Sequence, residues 1–290
     1  IMIIDAEHFK ERFDEDGYVI VRNLMPLEIM NNAQTAIERL VAELAAERVA
    51  TGRIPHSFKE EPFARRFKKI YENEPEAGPI QFTNQLHQSE LYDLYSYPPI
   101  LDLVQSYLGD EIRLLVYVVR MRVFRHQKYQ SLWHQDAGYL GAGRGQSEYS
   151  DEAYAQLGYV NCWAPFQQVN TYNGCMEFIP GTHKLGVVKH VALPPYNYLH
   201  IDFELINPMI EAGKQVQIEL DPGDIVFFHN LLFHQGQDNY SGQLRWSADF
   251  RYQDARQERL TNLKGHLIRS RSHPDKVVFS REDWARLGWT

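Results

Sequence analysis

Cysteine is nearly missing from this sequence, with Cys162 and Cys175 the only two in 290 residues. That excludes a disulfide-stapled scaffold and leaves two free thiols, as expected in a reducing compartment. No run of 18 apolar residues occurs, and the N-terminus, interrupted early by Asp5, Glu7 and Lys10, lacks the apolar stretch of a signal peptide. The expectation is a soluble cytoplasmic protein without a membrane partner. Positive charge is also short: 30 Lys and Arg against 38 Asp and Glu give a formal net charge of −8, and no Lys/Arg-rich stripe offsets it. Such a balance repels a phosphate backbone and excludes nucleic acid as the expected partner. Internal repeats and low-complexity tracts are absent, and 18 Gly with 14 Pro are too few for a collagen-like or disordered chain.

What is present divides by character, and we read 1–290 as one domain. Residues 1–110 read as a mainly helical layer. Asp5 is placed to cap a helix that turns Phe9 and Phe13 inward and stops at Gly17, and Tyr18-Val-Ile-Val21 reads as a strand. Pro26 opens a long helix with Ile29, Ala33, Ile37, Leu40, Val41 and Leu44 at helical spacing. Residues 53–80 show no clean period, and 88–108 resume a helical pattern that ends at Gly109. From Ile112 the chain turns to β-formers, and 111–253 reads as a jelly-roll core. Its runs lie at 159–166, 175–179, 215–220, 225–229 and 244–252, separated by turns such as Tyr172-Asn-Gly174 and Asp221-Pro-Gly-Asp224. The stretch 138–158, rich in glycine and tyrosine, has no period and is a candidate lid. A C-terminal extension, 254–290, is charged, with Trp284 and Trp289 expected to pack back.

The chemistry-bearing pattern is His134-Gln135-Asp136 with the distant His234. Two imidazoles and one carboxylate form the facial triad that leaves three positions on Fe(II) open. Alternate residues of a strand share a face, so His134 and Asp136 can grip one ion while His234 comes from another strand. A His-x-Asp pair alone carries little weight, since another stands at His200-Ile-Asp202. More weight comes from Arg245 on the run after His234. A guanidinium buried in a barrel needs a carboxylate, which a dicarboxylate co-substrate would provide. Arg245, Ser247, Asp249 and Arg251 share one face of that run, opposite Trp246, Ala248 and Phe250, and parity alone leaves open which face looks inward.

Taken together, Trp133-His-Gln-Asp136, Trp163, Asn173-Gly-Cys-Met-Glu-Phe-Ile-Pro-Gly-Thr-His183, Pro222-Gly-Asp224, and His234 with Arg245 resemble the phytanoyl-CoA dioxygenase-like Fe(II)/2-oxoglutarate-dependent oxygenases, from about Phe13 to Tyr252. The resemblance implies a mainly β fold with α, a double-stranded β-helix (a cupin-like jelly roll) with N-terminal helices packed outside. It implies His134, Asp136 and His234 as metal ligands and Arg245 as the partner of the distal carboxylate of 2-oxoglutarate. Trp163, Gln81, Tyr117 and Gln135 are further co-substrate candidates, and Tyr139, Tyr149 and Tyr154 are candidates for touching a small organic substrate. Fe(II), 2-oxoglutarate and O2 are the implied cofactor and co-substrates, and hydroxylation with release of succinate and CO2 the implied reaction. Asp136 sets the chain apart from related halogenases, where a small residue makes room for chloride. Gly236 stands where some relatives carry a serine and Gln81 where the phytanoyl-CoA branch has a lysine, and both departures count against acyl-CoA hydroxylation. Two other readings remain: a catalytically silent jelly-roll binding module, and a cupin-type metalloenzyme independent of 2-oxoglutarate, in which Arg245 would be idle.

Overall fold

Local chemistry at the N-terminus sets the first packing step in a computed structural model that describes residues 5–73, 82, 86–122, 130–140, 149–196 and 199–287. Asp5 accepts a hydrogen bond from the His8 backbone N–H at 2.8 Å and caps helix α1 (Ala6–Asp16). Phe9 and Phe13 are buried on its inner face, and Gly17, at φ 80°, closes it with an N–H bond to the Phe13 carbonyl. Strand β1 (Tyr18–Val21) follows, and then helix α2 (Leu27–Ala50) behind Pro26. The buried stripe of α2 is centred on Met30, Ala33, Ile37, Leu40, Val41 and Ala45.

One helix interrupts a stretch that reads without a clean period. Helix α3 (Phe63–Asn73) lies within 53–80; Phe67 and Ile70 are buried and most of its remaining surface is basic or polar. The pattern over 88–108 is two helices, α4 (Ser89–Tyr95) and α5 (Pro98–Leu108). They part at Ser96-Tyr97, because a residue preceding proline is pushed out of the helical region.

The β-region forms two antiparallel sheets. Strands β2 (Glu111–Arg122), β3 (Tyr159–Pro165), β8 (Ile225–His229) and β10 (Arg245–Asp254) build the larger with β1 and an edge strand β11 (His266–Ser270), in the order β1-β8-β3-β10-β2-β11. The smaller has the order β7-β4-β9, from β4 (Met176–Ile179), β7 (Val216–Ile218) and β9 (Phe233–Gly236). A bridge between His134 and His234 extends it by one more segment. With that segment beside β9, the pairings are those of a jelly roll, and the fold is mainly β with α as expected. A two-stranded ribbon, β5 (His190–Ala192) with β6 (Leu199–Ile201), lies apart.

Parity along β2 and β10 divides the core. Tyr117, Val119, Trp246, Ala248, Phe250 and Tyr252 pack under the helical layer with Phe9, Ile37 and Leu101. On the other face Trp163, Val226 and Phe228 meet Met176, Phe178 and Ile218 of the smaller sheet. Phe178 and Phe228 lie 5.2 Å apart between ring centroids and join the two sheets. Past β10 the chain adds β11 to the sheet edge and ends in helix α9 (Arg281–Arg286), whose Trp284 is fully buried. Trp289 lies outside the described residues.

Candidate metal and co-substrate site

His134 and His234 are held by one another's backbones, with His134 N–H to the His234 carbonyl at 2.9 Å and the reverse bond at 3.0 Å. Asp136 follows at the start of a short helix, α6 (Asp136–Leu140). The imidazoles are oriented in the same way. Nδ1–H of His134 donates to the Leu132 carbonyl at 2.6 Å and Nδ1–H of His234 to the Leu232 carbonyl at 2.9 Å. Since a carbonyl can only accept, the protons sit on Nδ1 and both Nε2 lone pairs are free. Each Nε2 lies 4.0 Å from an Asp136 carboxylate oxygen.

Burial pushes both imidazoles below the ordinary histidine value, and at His134 the neighbouring His234 adds to this. They are therefore neutral, the form that binds metal. For Asp136 burial opposes ionisation, but the charge of Arg251 foremost outweighs it and holds the carboxyl below its usual value. Arg251 Nη2 donates to Asp136 Oδ1 at 2.9 Å, whereas Oδ2 is buried with no donor among the described residues. An anion with one oxygen held and the other open, beside two free imidazole nitrogens, is a donor set that fits a divalent ion such as Fe(II). Among the described residues this is the one such group of three. The pair His200 and Asp202 is excluded, because Asp202 caps helix α8 (Phe203–Glu211) and pairs with Lys189.

The triad opens into a cavity of about 560 Å³ between the sheets. The inward face of β10 is the polar one: Arg245, Ser247, Asp249 and Arg251 all line it, which settles the parity question. Arg245 is only 6% exposed and donates to Ser247 Oγ at 3.0 Å, its guanidinium carbon 5.0 Å from the centre of the Trp163 ring. It has no ion pair with a carboxylate of the described residues, and its Nε is buried without a partner. Burial, and then the charge of Arg122 directly across the sheet, pull its proton affinity down to about 9.

Trp163 and Tyr139 line the same cavity, and the Tyr139 ring stacks obliquely on His134 at 4.9 Å. Other expected contacts lie elsewhere. Tyr117 faces the helical layer, where its hydroxyl bonds His87 Nε2 at 2.7 Å in a cluster with Trp284, so it cannot touch a co-substrate in the cavity. Gln135 points away from the ion site: its amide bonds the Gly186 and Leu231 carbonyls, each at 2.8 Å, and accepts from Val188 N–H. Tyr154 is buried with its hydroxyl on the Leu140 carbonyl, and Tyr149 bonds Glu258, in an apolar cluster that does not line the cavity. Within the candidate lid a capped helix, α7 (Asp151–Ala155), stands where no period was read, while 141–148 and Gln81 lie outside the described residues. Arg120 and Asp249 were not singled out as site residues, although the alternation of β2 and β10 carried the signal.

Against known families, residues 13–247 match the model of phytanoyl-CoA dioxygenase (PhyH). The chain belongs to the phytanoyl-CoA dioxygenase family. It is 21% identical over 269 residues to a probable phytanoyl-CoA dioxygenase of Caenorhabditis elegans, covering 91% of this chain and 80% of that one. It is 23% identical to the 1-deoxypentalenic acid 11-beta-hydroxylase of Streptomyces exfoliatus, covering 97% and 92%. Among solved structures it is similar to EctD from S. alaskensis with 2-oxoglutarate and 5-hydroxyectoine, at TM-score 0.62 and 17% identity over 99% of this chain and 85% of that one. Family and fold thus agree with the architecture described above.

Proposed function

We propose that this chain is a non-haem Fe(II)/2-oxoglutarate-dependent oxygenase that hydroxylates a small organic molecule and releases succinate and CO2. The observation that carries the reading is Arg245, a buried cation without an ion pair to a carboxylate among the described residues, facing the same cavity as a neutral-imidazole triad. When bound, ferrous iron would activate O2, the oxidant, with 2-oxoglutarate oxidised to succinate and CO2 so that one oxygen atom enters succinate and the other a C–H bond.

The chain's own residues bind, orient and exclude water. His134, Asp136 and His234 hold the ion, and Arg251 fixes the Asp136 carboxylate through one oxygen. Arg245, braced by Ser247 and lying over Trp163, receives the distal carboxylate. Trp163, Met176 and Phe228 form an apolar wall that keeps the cavity dry around the reacting carbon. A cytoplasmic location is part of the proposal, supported by two free, buried thiols. No helix among the described residues is long and apolar enough to cross a membrane.

The test is an anaerobic titration of the purified protein with Fe(II) and 2-oxoglutarate, read by calorimetry and by the weak visible charge-transfer band. One ion and one 2-oxoglutarate per chain are expected, with His134→Ala and His234→Ala losing the ion. A cupin-type metalloenzyme independent of 2-oxoglutarate would bind the ion without the co-substrate, and a silent module would bind both without producing succinate.

A further inference from the structure

We propose that the substrate is a free carboxylic acid with an apolar body, and that Arg120 binds its carboxylate at the cavity wall. The inference rests on the function proposed above and names the substrate class of the same site. Among the described residues, the charged groups lining the cavity are Arg120, Arg122, Arg245 and Arg251 against Asp136 and Asp249. Histidines that hold an ion are neutral ligands, so the described walls carry two positive charges in excess. Loading does not change that balance, because a divalent ion and a doubly charged 2-oxo diacid cancel. The loaded cavity thus attracts an anion and disfavours a cation.

Position selects the arginine. Arg251 is committed to Asp136, and Arg245 lies braced by Ser247 over Trp163. Arg122 is 9% exposed and spends its guanidinium on the Gly236 and Gln237 carbonyls. Arg120, by contrast, has a side chain 42% exposed, and the Asp249 carboxylate lies against its Nε as an ion pair without hydrogen-bond geometry. Its terminal nitrogens make no hydrogen bond to a described residue, while the largely buried Asp249 carboxylate anchors the guanidinium from behind. A fork held at its base with its tips free is the arrangement that grips a carboxylate. The rest of the substrate would meet Trp163, Met176 and Phe228, and about 560 Å³ gives room for a diacid and a second small molecule together. A coenzyme A thioester presents a neutral acyl carbonyl where the free acid presents a carboxylate, and carries its negative charge on phosphates remote from the acyl group.

The experiment loads the protein with Fe(II) and the inert analogue N-oxalylglycine without oxygen, then titrates decanoate, decanamide and decanoyl-CoA by calorimetry. Decanoate should bind at least about tenfold more tightly than decanamide. Arg120→Gln should bring the two within about threefold while the affinity for N-oxalylglycine is kept. Arg120→Lys, which retains the charge without the fork, should lose several-fold for the acid and nothing for the amide; it decides the matter if the glutamine variant does not fold. Equal binding of acid and amide, no binding of decanoate, a preference that survives in Arg120→Gln, or tighter binding of decanoyl-CoA than of decanoate overturns the proposal. Failure to bind Fe(II) or N-oxalylglycine at the outset overturns the function on which it rests. Normal loading with acid and amide alike overturns this inference alone.

Discussion

Arg245→Met should move stability and co-substrate binding in opposite directions. In the protein without metal or co-substrate, the guanidinium is charged, 6% exposed and in no ion pair with a carboxylate of the described residues. The fall of its proton affinity from 12.5 to about 9 corresponds to a penalty on the order of 4 kcal/mol for keeping it charged. Its contact with the Trp163 ring returns about 1–2 kcal/mol and is lost with the charge. Methionine fills similar space without a charge, so the substitution should stabilise the unloaded protein by about 2 kcal/mol, roughly 4 °C in Tm for a chain of this size. The sign can be checked against pH. A base whose folded value is depressed is penalised throughout the range below that value, so the gain should be flat from pH 6 to 8 and should shrink as pH rises through about 9. Binding should go the other way, since losing a charge-assisted pair costs about 1.5–3 kcal/mol, or roughly 10- to 100-fold in 2-oxoglutarate affinity. Thermal denaturation of the unloaded variant and calorimetry with 2-oxoglutarate read the two effects. A variant less stable than the parent that binds 2-oxoglutarate equally well would refute the reasoning.

Three other substitutions separate the roles assigned here. Arg251→Gln releases Asp136 Oδ1 and should weaken Fe(II) binding by about tenfold or more; unchanged metal affinity would remove Arg251 from the site. Burial pushes His229 down to about 3, so between pH 6.5 and about 3 the unfolded chain takes up a proton that the folded one refuses, and stability falls with pH. In His229→Asn, which keeps an acceptor for the Leu231 N–H, acid unfolding with chelator present should show about 2 kcal/mol less loss by pH 5; an unaltered acid profile would count against it. Tyr117→Phe should cost about 1 kcal/mol through the bond to His87 and leave 2-oxoglutarate affinity unchanged, whereas a binding defect would return Tyr117 to the co-substrate site.

The elements that declare themselves locally are the ones legible in the sequence. Asp5, Phe9, Phe13 and Gly17 carry a cap, a buried face and a stop within one short segment, and α1 follows them residue by residue. Helix α3 carries a signal that a reading of 53–80 as a whole passes over: Phe63, Phe67 and Ile70 share one face while Arg65, Arg66, Lys68 and Lys69 supply its basic surface, but the segment is short and set among residues without a period. The triad was readable because its ligand chemistry is restrictive even when its spacing is not. Gln135 misled because it stands between two site residues, and in extended chain a neighbour faces the other way. The same parity places Tyr117 opposite Arg120 and Arg122. The pairing of Arg251 with Asp136 spans 115 residues and exists only once β10 lies beneath the metal segment, so no local pattern announces it.

The account's central claim is that the triad and Arg245 serve one oxidative reaction. Its most direct test is the oxygen-dependent conversion of 2-oxoglutarate to succinate, followed with labelled CO2, in the parent protein and in Asp136→Ala. The account predicts slow turnover even without substrate, one succinate and one CO2 for each 2-oxoglutarate consumed, a requirement for added Fe(II), and loss of the reaction in Asp136→Ala. No consumption of 2-oxoglutarate by protein shown to hold iron, or equal consumption by the parent and the variant, would contradict it.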